Sequence, residues 1–279
     1  MPLKSVLVIL VKPAMSSISD SSNENDNEND IARDKTAEKL ASIEQLAEQT
    51  SEFRSGSHDF ENRMHKFNMT FLRALAKPIL PAGYWSKNRY TRHDEKTPIN
   101  LTFDDGPNPA TTRELLVVLE DEKVKGTFFF IGENIRLYPE LVEAVHKAGH
   151  IIGNHSMTHT FLPNLTRKAV EKEIDQTNQL IIDVVGTGPT LFRAPYGIMD
   201  KRCAEALKER RMSTVYWGAM ADDFRPIGED AVVSRIMKQI PGNELVVLHE
   251  GLHPSQCIRS TKEIIRRSKE LGFTFEPIQ

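Results

Sequence analysis

The sequence predicts an α/β fold on a parallel sheet of about seven strands, and three observations carry that prediction. From Thr97 onward, short apolar runs alternate with helical patterns, the signature of repeated βα units. Glycine and proline fall where such units need ends: Pro139 in a first turn, Asp200 as an N-cap, and Gly149, Gly186 and Gly272 as stops. Finally, the side chains able to do chemistry all follow the carboxyl ends of the apolar runs, the rim where parallel α/β folds build their sites.

Taken in order, the strands are read at Ile99–Phe103, Thr127–Ile131, His150–Gly153, Thr190–Arg193, Thr214–Trp217, Leu245–His249 and Phe273–Phe275. They are short, rich in β-branched and aromatic residues, and bounded by turn formers. The intervening helices are read at Thr112–Glu122, Pro139–Lys147, Arg167–Val185, Lys201–Arg211, Glu229–Ile240 and Ser260–Leu271. Either an open sheet or a barrel satisfies this pattern.

The first third of the chain reads differently. Residues 1–50 form a largely disordered leader: Ser16 to Asp30 is Ser-, Asn-, Asp- and Glu-rich and cannot bury enough surface to offset its ordering entropy. Residues 51–96 are a helical pre-segment. Met64, Phe67, Phe71, Leu72 and Leu75 make an apolar stripe, with Lys66, Arg73 and Lys77 among the polar positions, so it packs on its own domain or lies weakly on a membrane surface. The run Val6 to Val11 is far short of the roughly 20 residues of a membrane span and at or below the lower limit for an export signal, which favours a cytoplasmic or peripheral location over secretion.

Composition excludes several classes. Of 279 residues, 39% are hydrophobic and 27% charged, and the formal net charge of -3 leaves no basic footprint for nucleic acid. Two cysteines, Cys203 and Cys257, without a Cys-x-x-Cys pattern exclude a disulfide framework and a thiolate metal site; two buried thiols fit best.

Four segments carry the chemistry. Thr102-Phe103-Asp104-Asp105-Gly106-Pro107 places two carboxylates side by side, which repel unless a cation or strong donors hold them. His155-Ser156-Met157-Thr158-His159 spaces two imidazoles four apart, facing the same way if they share a helical turn. One carboxylate and two imidazoles leave a divalent ion an open position for water. Arg193-Ala194-Pro195-Tyr196 offers a guanidinium that would keep one of the aspartates ionised, and His249, ending Leu245-Val246-Val247-Leu248-His249, offers a proton donor beside carboxylates. Taken singly, each has an ordinary explanation as a cap, a turn or a buried histidine. Their shared rim favours a metal centre.

These segments, in this order, resemble the polysaccharide deacetylases, the NodB-homology domain of carbohydrate esterase family 4, over residues 97–279. The resemblance implies a distorted (β/α) barrel and a hydrolase that removes N-acetyl groups from amino sugars such as the N-acetylglucosamine of peptidoglycan, chitin or chito-oligosaccharides, cleaving a linear amide C–N bond. It implies Asp105, His155 and His159 as ligands of a divalent metal, Zn²⁺ before cobalt or nickel. Asp104 becomes the base that takes a proton from the attacking water, with Arg193 orienting it. Tyr196 would give its backbone N–H to the oxyanion, and His249 would be the acid, tuned by Asp223. Pro195, Tyr196, Phe224 and Val247 would contact substrate. The implied partner is an N-acetylated amino-sugar oligomer or polymer, met by a monomer.

The fourth family motif, D-x-x-D-W, departs here to Met220-Ala221-Asp222-Asp223-Phe224, with Asp222 an alternative to the absent first acid. Two other readings accompany the resemblance. One is a deformylase or amidase of the same fold acting on a lipid-linked sugar or another small amide; the other is a carbohydrate-binding homologue that has lost catalysis.

Overall fold

The computed structural model describes residues 98–240 and 245–278; the leader and the helical pre-segment read from the sequence lie outside the described residues. Among the described residues, seven strands form one parallel sheet. They are β1 (Asn100–Gly106), β2 (Thr127–Phe130), β3 (Ile151–Asn154), β4 (Leu191–Phe192), β5 (Ser213–Thr214), β6 (Ala219–Met220) and β7 (Leu245–His249), in spatial order β5-β4-β3-β2-β1-β7-β6. The sheet curls into a half-barrel whose ends, β5 and β6, do not pair with each other.

Among the same residues, seven helices connect and cover the strands: α1 (Thr112–Asp121), α2 (Gly132–Leu137), α3 (Pro139–Lys147), α4 (Arg167–Val185), α5 (Lys201–Glu209), α6 (Glu229–Gln239) and α7 (Pro254–Glu270). Each longer helix buries a stripe at three- and four-residue spacing, such as Leu115 and Leu119 of α1 or Val232, Val233 and Ile236 of α6. The punctuation matches the sequence. Pro139 opens α3, the Asp200 carboxylate accepts the Cys203 N–H at the start of α5, and Gly186 closes α4 in the left-handed conformation. Cys203 and Cys257 are both free and buried. No helix among the described residues is long and apolar enough to cross a membrane.

Strand alternation divides the interior into two layers. Leu101, Phe103, Phe128, Phe130, Ile152, Val246 and Leu248 face the helices in the main core. Phe129, Leu191, Val215, Leu245 and Ile278 form a small cluster with no helical member, inside the curl. The inner positions of β1 and β7 toward the rim are therefore Thr102, Asp104, Val247 and His249. Tertiary position alone makes them neighbours: Thr102 is in register with Val247, and Asp104 with His249.

The structure corrects several sequence expectations. Phe273–Phe275 is not a strand; only Phe275 bridges Ile99. Its partner edge is already taken, because β1 pairs with β7 from Asn100 and with β2 from Thr102. The seventh strand is instead β6, two residues long and too short to show periodicity. The predicted strand Thr214–Trp217 moves to Ser213–Thr214, and the chain then leaves the sheet across its open side. Helix α7 begins six residues before Ser260. Its first turns bury Gln256, Cys257, Ser260 and Thr261 rather than large apolar residues, so the hydrophobic pattern starts late. The short α2 carries no sequence signal.

Candidate active site and metal centre

Asp104 and Asp105 lie within the end of β1, not beyond it. In a regular strand, consecutive side chains point to opposite faces. Here Asp105 is left-handed (φ 69°) and the register with β2 slips between Asp104 and Gly106, a bulge that re-aims the second carboxylate toward the rim. The Asn134 side chain at α2 holds the bulge by donating to the Asp105 carbonyl (2.8 Å). Gly106 follows because nothing larger fits. A Cβ there would lie 2.1 Å from Glu250 Oε1 and 2.8 Å from the Phe130 ring.

The two histidines do not share a helical turn, which corrects the sequence expectation. His155 to His159 is a loop in which Ser156 and His159 are left-handed (φ 65° and 53°). Its backbone groups are committed elsewhere: Ser156 N–H donates to Asn154 Oδ1 (2.7 Å), His159 N–H donates to Ser156 Oγ (3.1 Å), and the carbonyls of Ser156 and Met157 accept from Gly132 and Glu133. No helical ladder is left to form, yet the imidazoles still converge. Each Nε2 lies 3.3 Å from Asp105 Oδ1.

These three side chains form a metal-compatible group, with ligand atoms all within 4.8 Å of one another. Three observations fit a divalent ion. Asp105 Oδ1 is buried and receives no hydrogen bond. His155 Nδ1 lies 2.7 Å from the Arg193 carbonyl, which makes it the N–H donor and leaves the Nε2 lone pair facing Asp105. The distances also suit: ligands about 2.0–2.1 Å from a tetrahedral ion stand about 3.3–3.4 Å from each other. Electrostatics agree. Burial pulls the His159 imidazole below its ordinary pKa, with Asp105 opposing, the direction that favours a metal-binding ring. Burial works against the Asp105 charge, but His159, His155 and His249 hold the carboxyl well below the usual carboxylate range.

Two ionisable pairs flank this group. Arg193, buried at the end of β4, donates from Nη1 to Asp104 Oδ1 (2.6 Å) and to Thr102 Oγ1 (2.9 Å), and its guanidinium stacks 4.2 Å over the Phe129 ring. Burial lowers the Arg193 pKa, and Asp104 opposes that fall. On the other side, Asp223 Oδ1 lies 2.9 Å from His249 Nδ1, and its Oδ2 accepts the His249 backbone N–H (2.7 Å). Burial disfavours the His249 charge, but Asp223, helped by Asp105 and Asp104, pushes its pKa up to about 9. Asp223 thus favours the imidazolium form of His249.

The remaining predicted residues also reach the rim. The 3-10 turn Pro195–Gly197 sets Tyr196 left-handed (φ 59°), with its ring 4.9 Å from His159. Pro195 is buried beneath that turn. Phe224 stands edge-on to the His249 ring at 5.6 Å, and Val247 is buried on the inner face two residues before His249. Asp222, the alternative to the missing acid, turns its carboxylate to Arg235 at 3.3 Å. Five of the seven described non-glycine residues with positive φ are Asp105, Ser156, His159, Tyr196 and Asp222, so the unusual backbone concentrates at this rim.

Sequence reasoning misses the supporting side chains. Gln256 donates to the carbonyls of Asp223 and Arg225 (2.8 and 2.9 Å) and fixes the loop carrying Asp223. Glu250 is buried below the bulge and accepts a hydrogen bond from the Thr112 hydroxyl; burial pushes its pKa up to about 8. Glu173 binds the loop between the two histidines. None sits in a recognisable motif, since each acts through contacts across the fold.

A curled parallel α/β sheet, with a carboxylate–imidazole cluster between a guanidinium-held aspartate and an aspartate-held histidine, defines a class of protein. Comparison with known proteins agrees. Residues 91–215 match the family model described as polysaccharide deacetylase; Asp223 and His249 lie beyond that match. A peptidoglycan-N-acetylglucosamine deacetylase of Bacillus cereus is 33% identical over 206 residues, covering 72% of this chain and 94% of that protein. The peptidoglycan-N-acetylmuramic acid deacetylase PdaC of Bacillus subtilis is 34% identical over 175 residues, 63% of this chain, which spans only 36% of the PdaC length. The solved PdaC structure superposes with a TM-score of 0.61 at 31% identity, covering 66% of this chain and 89% of the solved one. A family 4 carbohydrate esterase from Streptomyces lividans, in complex with acetate, gives 0.61 at 28% identity, covering 65% and 93%. The chain belongs to the polysaccharide deacetylase family.

Proposed function

We propose that this protein is a metal-dependent hydrolase that removes N-acetyl groups from amino sugars, releasing acetate from an N-acetylglucosamine oligomer or polymer. One observation carries the metal reading: the buried Asp105 Oδ1 has no hydrogen-bond donor and sits 3.3 Å from two imidazole nitrogens. Asp105, His155 and His159 would hold the ion. Two nitrogen ligands and one oxygen ligand suit Zn²⁺, with Co²⁺ or Ni²⁺ able to occupy the same set. A divalent ion so placed supplies Lewis-acid polarisation of the acyl oxygen and makes a water more acidic.

The chain's own residues do the rest. Asp104, in register with His249 on the adjacent strand and oriented by Arg193, takes the proton of the attacking water. The backbone N–H of Tyr196 is assigned to the oxyanion. His249 donates the proton that lets the amine leave, and Asp223 favours the charged ring and fixes its orientation. Val247 and Phe224 supply apolar surface beside His249, where an acyl methyl group loses contact with water. Pro195 fixes the turn on which Tyr196 is presented.

The test is acetate release from defined N-acetylglucosamine oligomers, from peptidoglycan and from N-formyl sugars, before and after chelation and after return of Zn²⁺ or Co²⁺. The expected result is acetate release that chelation abolishes and metal restores. Binding of oligomers by metal-replete protein with no acyl release would overturn the proposal.

A further inference from the structure

We infer that Glu173 on α4 is a positioning residue for the metal centre, acting through the loop between the two histidine ligands. The inference rests on the metal reading above and deepens it. Glu173 Oε2 accepts two consecutive backbone N–H groups, those of Met157 and Thr158, both at 2.9 Å. The Thr158 hydroxyl lies 3.1 Å from Oε1 and 3.2 Å from Oε2. A single carboxylate thus holds two of the three residues between His155 and His159.

The two ligands depend on that tie unequally. His155 is fixed independently: its backbone N–H donates to the Phe130 carbonyl (2.9 Å), its Nδ1 meets the Arg193 carbonyl, and its side chain is only 3% exposed. His159 has a side chain 27% exposed and lies on a left-handed backbone. Its ring packs against His155 and Tyr196, and its N–H bonds Ser156 Oγ within the same loop. Helix α2 holds the carbonyls of Ser156 and Met157, and the Thr177 hydroxyl of α4 reaches Met157 Sδ (3.9 Å); Glu173 adds the tie at Thr158, the residue beside His159. One oxygen on a rigid helix that accepts two consecutive N–H groups fixes where the loop lies, so the side chain's reach pre-orders His159 for the ion. Without it the Thr158–His159 end of the loop must be ordered at the moment of binding, which weakens affinity by that ordering cost.

The mechanism makes opposite demands of two conservative substitutions. Glu173→Gln keeps the reach and an oxygen able to accept both N–H groups. Glu173→Asp keeps the charge but is one methylene too short to reach both. The experiment is Co²⁺ titration of metal-free protein, followed by visible absorption, for wild type, Glu173→Ala, Glu173→Asp, Glu173→Gln and His155→Ala. Thermal unfolding of each metal-free variant is measured alongside. Kd is expected to rise about ten- to a hundredfold in Glu173→Ala and Glu173→Asp, to stay within about threefold of wild type in Glu173→Gln, and to rise beyond measurement in His155→Ala. Each metal-free variant should remain folded well above the titration temperature, so that global unfolding cannot produce the difference. Unchanged affinity in Glu173→Asp, or equal losses in the Asp and Gln variants, would overturn the role of Glu173 while leaving the metal centre standing. Failure of wild type itself to bind Co²⁺ would overturn both.

Discussion

Replacing Asp223 with Asn tests the acid assignment most directly. In the wild type, burial alone would hold His249 below 6.5, yet Asp223, with smaller help from Asp105 and Asp104, brings it to about 9. At about 1.4 kcal/mol per pH unit, the displacement from 6.5 is worth roughly 3 kcal/mol in favour of the imidazolium. A cation held by Asp105 offsets that carboxylate, which leaves Asp223, 2.9 Å from Nδ1, as the principal support. Asn keeps the size and can still accept the His249 backbone N–H, but it carries no charge. Burial then prevails, and His249 should titrate at or below 6.5. The assay is kcat/KM against pH on an N-acetylglucosamine oligomer. The alkaline limb should move to lower pH in the variant, with a loss on the order of a hundredfold at pH 8 and a much smaller loss at pH 5.5. Stability follows the same sign. A folded pKa raised above the unfolded value gives a contribution fully present below about 6.5 and lost as pH rises through about 9. Asp223→Asn removes that pH dependence. An alkaline limb that stays at the wild-type pH in the variant would refute the assignment of His249 as the acid under Asp223 control.

Three other outcomes are expected. Asp104→Asn should bind metal like the wild type, measured by elemental analysis, while kcat falls about 10²–10⁴-fold; undiminished turnover would remove Asp104 from the role of base. His155→Ala should lose both bound metal and activity, because one neutral imidazole and one carboxylate remain. Gly106→Ala should destabilise the fold by about 1–3 kcal/mol in urea unfolding, since the new Cβ meets the buried Glu250 carboxyl and the Phe130 ring; a midpoint equal to the wild type would show that the bulge gives way freely.

Much of the fold is legible in the amino-acid sequence. Apolar runs bounded by glycine locate β1, β2, β3 and β7, and the caps Asp200 and Gly186 work as read. Those elements are either long or flanked by residues with a strong local preference. Strand β6 and helix α2 escape because two or six residues hold too little periodicity to register. The start of α7 escapes because polar and small residues line its buried face, Gln256 among them, and a buried polar residue chosen for its hydrogen bonds leaves no hydrophobic trace. A helical turn from His155 to His159 predicts that the two imidazoles converge, as they do at Asp105, but by the wrong local geometry. Four-residue spacing does not dictate backbone conformation; the loop's hydrogen bonds to Asn154, α2 and Glu173 decide it.

Local patterning settles the order of strands and helices, and the residue types at each strand end announce a chemistry that only carboxylates, imidazoles and guanidinium can supply. Which of those groups meet is a tertiary matter. The bulge at Asp105 turns two adjacent carboxylates toward one rim, the pairing of β1 with β7 sets Asp104 beside His249, and Asp223 reaches that histidine while Asp222 turns to Arg235. The cause is distance along the chain: contacts between residues tens to more than a hundred positions apart depend on sheet register and backbone handedness, and neither is written in any local window.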